Sequence, residues 1–121
     1  MNTAVDALWF GRSQEAIARL NRQLSFFHSQ GTGRYGNQFS LDGQRVLGED
    51  HSTGLLAANA VAAMTSTSPY RVEFLREFWN APIPRGRYRY YDGLLSMLAL
   101  LQLSGNFQVY DPDAPERSVP R

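Results

Sequence analysis

Two polar runs carry most of the side chains in this sequence that could do chemistry: Glu49-Asp-His-Ser52 and Arg87-Tyr-Arg-Tyr-Tyr-Asp92. Tyrosine offers an apolar ring with a hydroxyl at its edge, and Asp, His and Arg can bond sugar hydroxyls, so the set has the composition of a carbohydrate groove. Each run also stands just before an apolar stretch, where the same residues have structural uses. Ser52 or Asp50 can cap one helix and Asp92 another. His51 can be a core histidine bonded to backbone. His28 lies on an amphipathic stretch without a nearby partner and reads as structural or exposed, and Trp9 and Trp79 sit at stripe positions expected in the core. Other chemistries lack their parts. Without cysteine there is no thiolate metal site and no thiol nucleophile. The two histidines show no zinc spacing, and no serine sits in a G-x-S-x-G elbow. Gly31-Thr-Gly33 leads into a ribbon-like stretch rather than opening a helix as a phosphate loop does. No cofactor or metal is expected.

Twelve basic and eleven acidic side chains leave a formal charge of +1. That supplies none of the field that nucleic acid or an anionic membrane attracts, so neither is an expected partner. The run Arg85-Gly-Arg-Tyr-Arg89 mixes basic and aromatic residues, but three arginines on a near-neutral chain do not make an RNA-binding patch. All the basic residues are arginine, which reads as coding bias more than as chemistry. The longest apolar stretches, 55–64 and 94–103, fall well below the roughly 18 residues of a membrane span, which predicts a soluble protein. The first ten residues have neither a basic n-region nor an apolar h-region, so they are no secretory signal; the cytoplasm is the expected compartment if Met1 is the true start.

Helices position both polar runs. Val5, Leu8 and Trp9 form the stripe of a first helix that starts with almost no room for a cap, as if it were the end of a longer one. Ser13 and Glu15 announce a second, with Ile17, Leu20, Leu24 and Phe27 inward and Gly31 as its stop. The glycine-rich segment 31–37 breaks helix, and 38–46 alternates around Asp42-Gly43 as a small hairpin does. From Thr53 to Thr65 runs a helix apolar or small on every side except at Asn59. Ser68-Pro69 gives N-cap and N1 of an amphipathic helix with Val72, Leu75, Phe78 and Trp79 inward and Arg71, Glu73, Arg76 and Glu77 toward water. After the loop 85–91, a last helix from about Asp92 to Ser104 is again apolar nearly all round, closed by Gly105. Residues 111–121, with three prolines, read as a disordered tail beyond a domain of 1–110.

The order amphipathic, fully apolar, amphipathic, fully apolar is informative. Two apolar helices cannot both be covered by two amphipathic ones in a chain of 121 residues. An all-α toroid, with inner helices enclosed by an outer ring, explains the alternation; a helical bundle that covers the same surface by dimerising explains it equally well. In a toroid the inner helices start at one end, which brings the two polar runs to one mouth, where free helix-start N–H groups add donors.

The residues also resemble a known family. Phe78-Trp-Asn-Ala-Pro-Ile-Pro-Arg-Gly-Arg-Tyr-Arg-Tyr-Tyr-Asp-Gly-Leu-Leu95, continuing as Leu98-Ala-Leu-Leu-Gln-Leu-Ser-Gly-Asn-Phe107, resembles the C-terminal part of glycoside hydrolase family 8. Within it the likeness is nearest to the reducing-end xylose-releasing exo-oligoxylanases. Three further blocks agree in order: Ala4 to Phe10, Phe26 to Gly31 with Leu41-Asp-Gly43, and Asp50 to Leu55 with Asn59-Ala-Val61. The resemblance implies the C-terminal segment of an (α/α)6 barrel that hydrolyses β-1,4-linked glycans, here xylo-oligosaccharides, with inversion. Inversion needs a carboxylic acid for the leaving oxygen and a separate carboxylate for water. The family's acid and base are expected upstream of Met1, so no catalytic residue is assigned here; Asp6 matches a different family aspartate. His51 matches a histidine at the leaving-group sugar and Tyr90 or Tyr91 an aromatic beside the cleavage site, with Arg89 and Asp92 completing the substrate-binding set. The segment is expected to be inactive alone and to self-associate through uncovered barrel helices. The alternative is a non-catalytic binding or oligomerisation domain derived from the same barrel.

Overall fold

A computed structural model describes residues 1–11 and 13–107. The tail expected over 111–121 lies outside them, as do 108–110 at the end of the expected domain. Five α-helices and one two-stranded ribbon make up the described chain. Helix α1 spans Asn2–Trp9 and α2 Gln14–Ser29. The Ala16 N–H donates to Ser13 Oγ at 3.1 Å, the cap expected from the sequence. The antiparallel ribbon pairs β1 (Gln38–Phe39) with β2 (Val46–Gly48). Asp42 turns it by accepting from the Gln44 N–H at 3.0 Å. Gly36 has no space for a side chain, because a Cβ there would strike the Gly48 carbonyl.

Helix α3, Thr53–Thr65, has the boundaries its composition predicts. Ser52 is its N-cap, accepting from the Leu55 N–H at 3.3 Å. Helix α4 is Arg71–Trp79, two residues shorter at its start than Ser68-Pro69 suggests. Ser68 opens a turn instead: its Oγ accepts from the Tyr70 N–H and its carbonyl from the Arg71 N–H, each at 3.3 Å. Helix α5, Arg89–Leu103, starts three residues earlier than expected, after a 3-10 turn over Gly86–Tyr88. Arg89, Tyr90 and Tyr91 are therefore helical, and Asp92 lies in the first turn rather than at the cap.

The other four helices pack around α3. Leu56, Ala57, Asn59, Ala60, Val61, Ala62, Ala63 and Thr65 are buried, with Leu20, Leu24, Tyr35, Phe74, Phe78 and Ala99 completing the core. Helices α3 and α5 run parallel: Gly54 meets Asp92 at their starts, and Met64 meets Gln102 and Leu103 around one cavity at their ends. At Gly54 a Cβ would stand 2.7 Å from Asp92 Oδ1 and 2.8 Å from Leu95 Cδ1, so glycine is what permits this approach. Helix α4 returns antiparallel to α3, since it follows directly from the α3 C-terminus and brings Glu77 back to His51 at the α3 start. This up-and-down alternation is what a ring of paired helices requires.

The expected faces of α4 and α1 are corrected. On α4 the buried stripe is Phe74 and Phe78 with Glu77 between them, while Val72 is exposed and Trp79 is 82% exposed. Trp9 is also partly exposed, at 37%. On α5 only Ser96 and Ala99 are buried. Leu94, Met97, Leu100 and Leu101 are exposed, so the second apolar helix is left uncovered by the described residues, as expected of a barrel helix without its neighbours, whereas α3, expected to be uncovered too, is enclosed.

Candidate sugar-binding site

The parallel course of α3 and α5 brings the two polar runs to one end of the molecule. Ser52 Oγ donates to Asp92 Oδ1 at 3.1 Å while it accepts from the Leu55 N–H, so one hydroxyl fastens the α3 cap to the first turn of α5. Tyr90 and Tyr91 stand beside this junction and are 81% and 64% exposed. Their rings can offer faces and hydroxyls to a ligand without any rearrangement of the core. Arg89 is exposed and bends back to donate from Nη1 to the Gly86 carbonyl at 3.2 Å. Glu49 and Asp50 are exposed on the other strand of the junction.

His51 is half-buried and fully engaged. Its Nδ1–H donates to the Tyr35 carbonyl at 2.8 Å, since a carbonyl oxygen can only accept. Its Nε2 lies 2.8 Å from Glu77 Oε1, with one proton between them. The ring meets Tyr35 edge-on at 4.5 Å between centroids. The expectation of a core-type histidine bonded to backbone and that of a histidine at the polar mouth describe the same residue, because its ring remains 27% exposed.

Behind His51 lies a chain of polar groups that spacing in the sequence did not reveal. Asn59, fully buried on α3, accepts from Gln23 Nε2 at 2.8 Å and donates to the Tyr35 hydroxyl at 3.1 Å. Burial holds the Tyr35 phenol well above its ordinary value; the Asn59 amide opposes this and the nearby Glu77 charge adds to it. Glu77, expected to face water, has a side chain only 13% exposed. Its Oε2 is buried with no hydrogen-bond partner among the described residues. Burial raises its carboxyl above the ordinary value of 4.5, against the lowering effect of His51 and of the Gly33 N–H. His28, read as lacking a partner, stacks on Tyr70 at 3.6 Å and lies 3.4 Å from Glu73 Oε2, one turn of α4 before Glu77. Among the described residues no three His, Cys, Asp or Glu side chains cluster as metal ligands, and no helix is long and apolar enough to cross a membrane.

Alternating inner and outer helices with inner starts at one polar mouth define a segment of a helical barrel. The comparisons with known proteins specify which barrel. The chain is 35% identical over 117 residues to the reducing end xylose-releasing exo-oligoxylanase of Halalkalibacterium halodurans, an alignment covering 95% of this chain and 30% of that enzyme. It is 34% identical over 110 residues to the reducing-end xylose-releasing exo-oligoxylanase of Paenibacillus barcinonensis, covering 90% and 29%. The crystal structure of a point variant of such an exo-oligoxylanase, complexed with xylobiose, superimposes with a TM-score of 0.82 at 35% identity over 92% of this chain and 30% of that one. No protein-family model matches the chain. The chain is thus a relative of the reducing-end xylose-releasing exo-oligoxylanases of glycoside hydrolase family 8, built as a segment of their (α/α)6 barrel. It spans about 30% of the length of these relatives.

Proposed function

We propose that this chain forms the reducing-end side of the sugar groove of an inverting glycoside hydrolase acting on β-1,4-linked xylo-oligosaccharides, and that it is inactive as it stands. The observation that carries the proposal is the Ser52–Asp92 hydrogen bond, which ties the starts of α3 and α5 and so supports a site shared by His51 and the tyrosine-rich turn at that end. The names of the relatives and the xylobiose held by one of them support the substrate class. In this proposal Tyr90 and Tyr91 stack on or border the sugar rings, the Arg89 guanidinium donates to hydroxyls, and the free Asp92 oxygen accepts from one. His51 presents its exposed ring edge to a sugar hydroxyl while Tyr35 and Glu77 keep both of its nitrogens. The acid and base that inversion demands match no residue of this chain, and positioning alone does not replace proton transfer.

The pure protein is therefore expected to release no xylose from xylotriose. Steady release abolished by Asp6→Ala would overturn the assignment. Joined to the remaining part of the H. halodurans enzyme, the chain should support hydrolysis. In that chimera His51→Ala should lower kcat/KM by the equivalent of about 1–3 kcal/mol, the cost of unpairing a polar contact. A fall in melting temperature with kcat/KM per folded molecule unchanged would remove His51 from the site. The apolar face left open on α5 favours a second reading, a non-catalytic helical domain that associates through that face. A chimera that folds and stays inactive while the chain alone self-associates would support it.

A further inference from the structure

We propose that Glu77 is a positioning residue for His51, clamping the imidazole from the outer helix so that its plane and its proton-bearing nitrogen are fixed before any sugar arrives. The inference rests on the reading that His51 borders the sugar site. The ring is gripped at both nitrogens by groups from different elements: the Tyr35 carbonyl, in the loop before β1, and Glu77 Oε1 on α4, each at 2.8 Å. Neither grip alone fixes an imidazole. One hydrogen bond at Nδ1 leaves the ring free to rotate about it, and a second at the opposite nitrogen removes that freedom. Glu77 is itself held by burial, its side chain being only 13% exposed on the face of α4 that carries the buried Phe74 and Phe78. Tyr35 is held in turn through its hydroxyl by Asn59, and Asn59 by Gln23. Every member of the chain from α2 to His51 thus has its position set by the next, the arrangement by which packed supporting groups give a site its precision. A carboxylate that served only packing would gain nothing from a half-buried position with one oxygen left unpaired among the described residues.

The clamp can be read on the chain itself, in a sample labelled with nitrogen-15. In the unaltered protein the Nδ1–H of His51 should give a protected proton signal and its ring a single tautomer. His28, the only other histidine, contacts Glu73 and Tyr70 and serves as the internal reference. Glu77→Ala should make exchange of the His51 Nδ1–H at least about tenfold faster, the sign of local opening, and leave His28 unchanged. Glu77→Gln, whose amide N–H can donate to Nε2, should restore protection and the Nδ1–H tautomer. Glu77→Asp keeps the charge but withdraws it by one methylene; it should behave like Glu77→Ala and serves in its place if the alanine variant does not fold. Equal protection in Glu77→Asp or Glu77→Ala and the unaltered chain would overturn the proposal, as would failure of Glu77→Gln to restore it. A chimera in which His51→Ala has no kinetic effect would retract the sugar contact and leave the clamp to be judged by these spectra.

Discussion

Helices α3 and α5 have the same kind of sequence and opposite fates. Both are apolar on nearly every side, yet α3 is enclosed by four helices of its own chain while α5 buries only Ser96 and Ala99. The difference lies in side-chain size. Helix α3 carries Gly54 and five alanines between Ala57 and Ala63, so neighbouring helices approach closely and four of them suffice to cover it. Helix α5 carries Leu94, Met97, Leu100 and Leu101 on a face that the described residues leave open. Around Leu100 and Met97 that face opens into a groove of about 350 Å³ shared with Trp79, Ile83 and Pro84. A helix of small apolar residues can be completed locally, whereas one of large residues turned outward marks surface meant for contact.

Matched truncations test the contrast most directly. Leu56 on α3 is 4% exposed and Met97 on α5 is 50% exposed. Leu56→Ala should cost about 2–5 kcal/mol, the transfer term plus the cavity left behind. Met97→Ala should stay within about 0.5 kcal/mol, as surface changes do. Denaturant melts of the two variants decide it. Similar losses at both positions would mean that α5 is covered in solution, either by residues beyond 107 or by another copy of the chain.

Self-association is the expected consequence of the open face. The double variant Leu94→Glu with Leu101→Lys places charges about two turns apart along the exposed stripe. It should reduce both sedimentation-detected association and binding of an apolar-surface dye, with little change in the melting temperature. A parent chain that is monodisperse and binds no dye would show instead that the exposed leucines are tolerated singly, as scattered surface leucines are.

Much of this was legible in the sequence, and the failures have physical causes. The boundaries of α3, the Ser13 and Ser52 caps and the hairpin at Asp42-Gly43 follow from local chemistry, which a linear chain displays openly. The buried face of α4 does not. Phe74 with Phe78 and Leu75 with Trp79 are both i, i+4 pairs, so periodicity offers two stripes and only the neighbours choose between them. An inward face of Val72, Leu75, Phe78 and Trp79 turns Glu77 toward water and hides its contact with His51. Tyr35 escaped notice because its surroundings in sequence are glycines and an arginine, although it is among the largest fully buried side chains. His51 and Asp92 were found as members of polar runs, but their partners come from 26 and 40 residues away. Spacing along the chain holds no record of such pairs.

The smallest expected effect concerns how far enclosure extends toward the mouth. If the polar end beside α3 is packed as the rest of α3 is, the Glu77 carboxyl binds its proton more tightly folded than unfolded, because burial raises it above 4.5. The folded state then holds more protons than the unfolded one in the window that opens at that ordinary value, and stability must fall as pH rises through it. The stabilising contribution is complete below the unfolded value and is lost above the folded one. This is the reverse of a salt-bridged carboxylate, whose contribution is lost as pH falls. Glu77→Gln removes the titration while keeping the shape, so melting temperatures of both proteins from about pH 4 to pH 7 isolate it. The unaltered chain should lose ground against Glu77→Gln as pH rises. A difference that stays flat would mean that Glu77 is solvated like a surface glutamate. A difference of opposite slope would mean that its attraction to His51 outweighs burial. In either case the enclosed region would end short of the site, and the contrast between α3 and α5 would be one of core against core rather than of core against mouth.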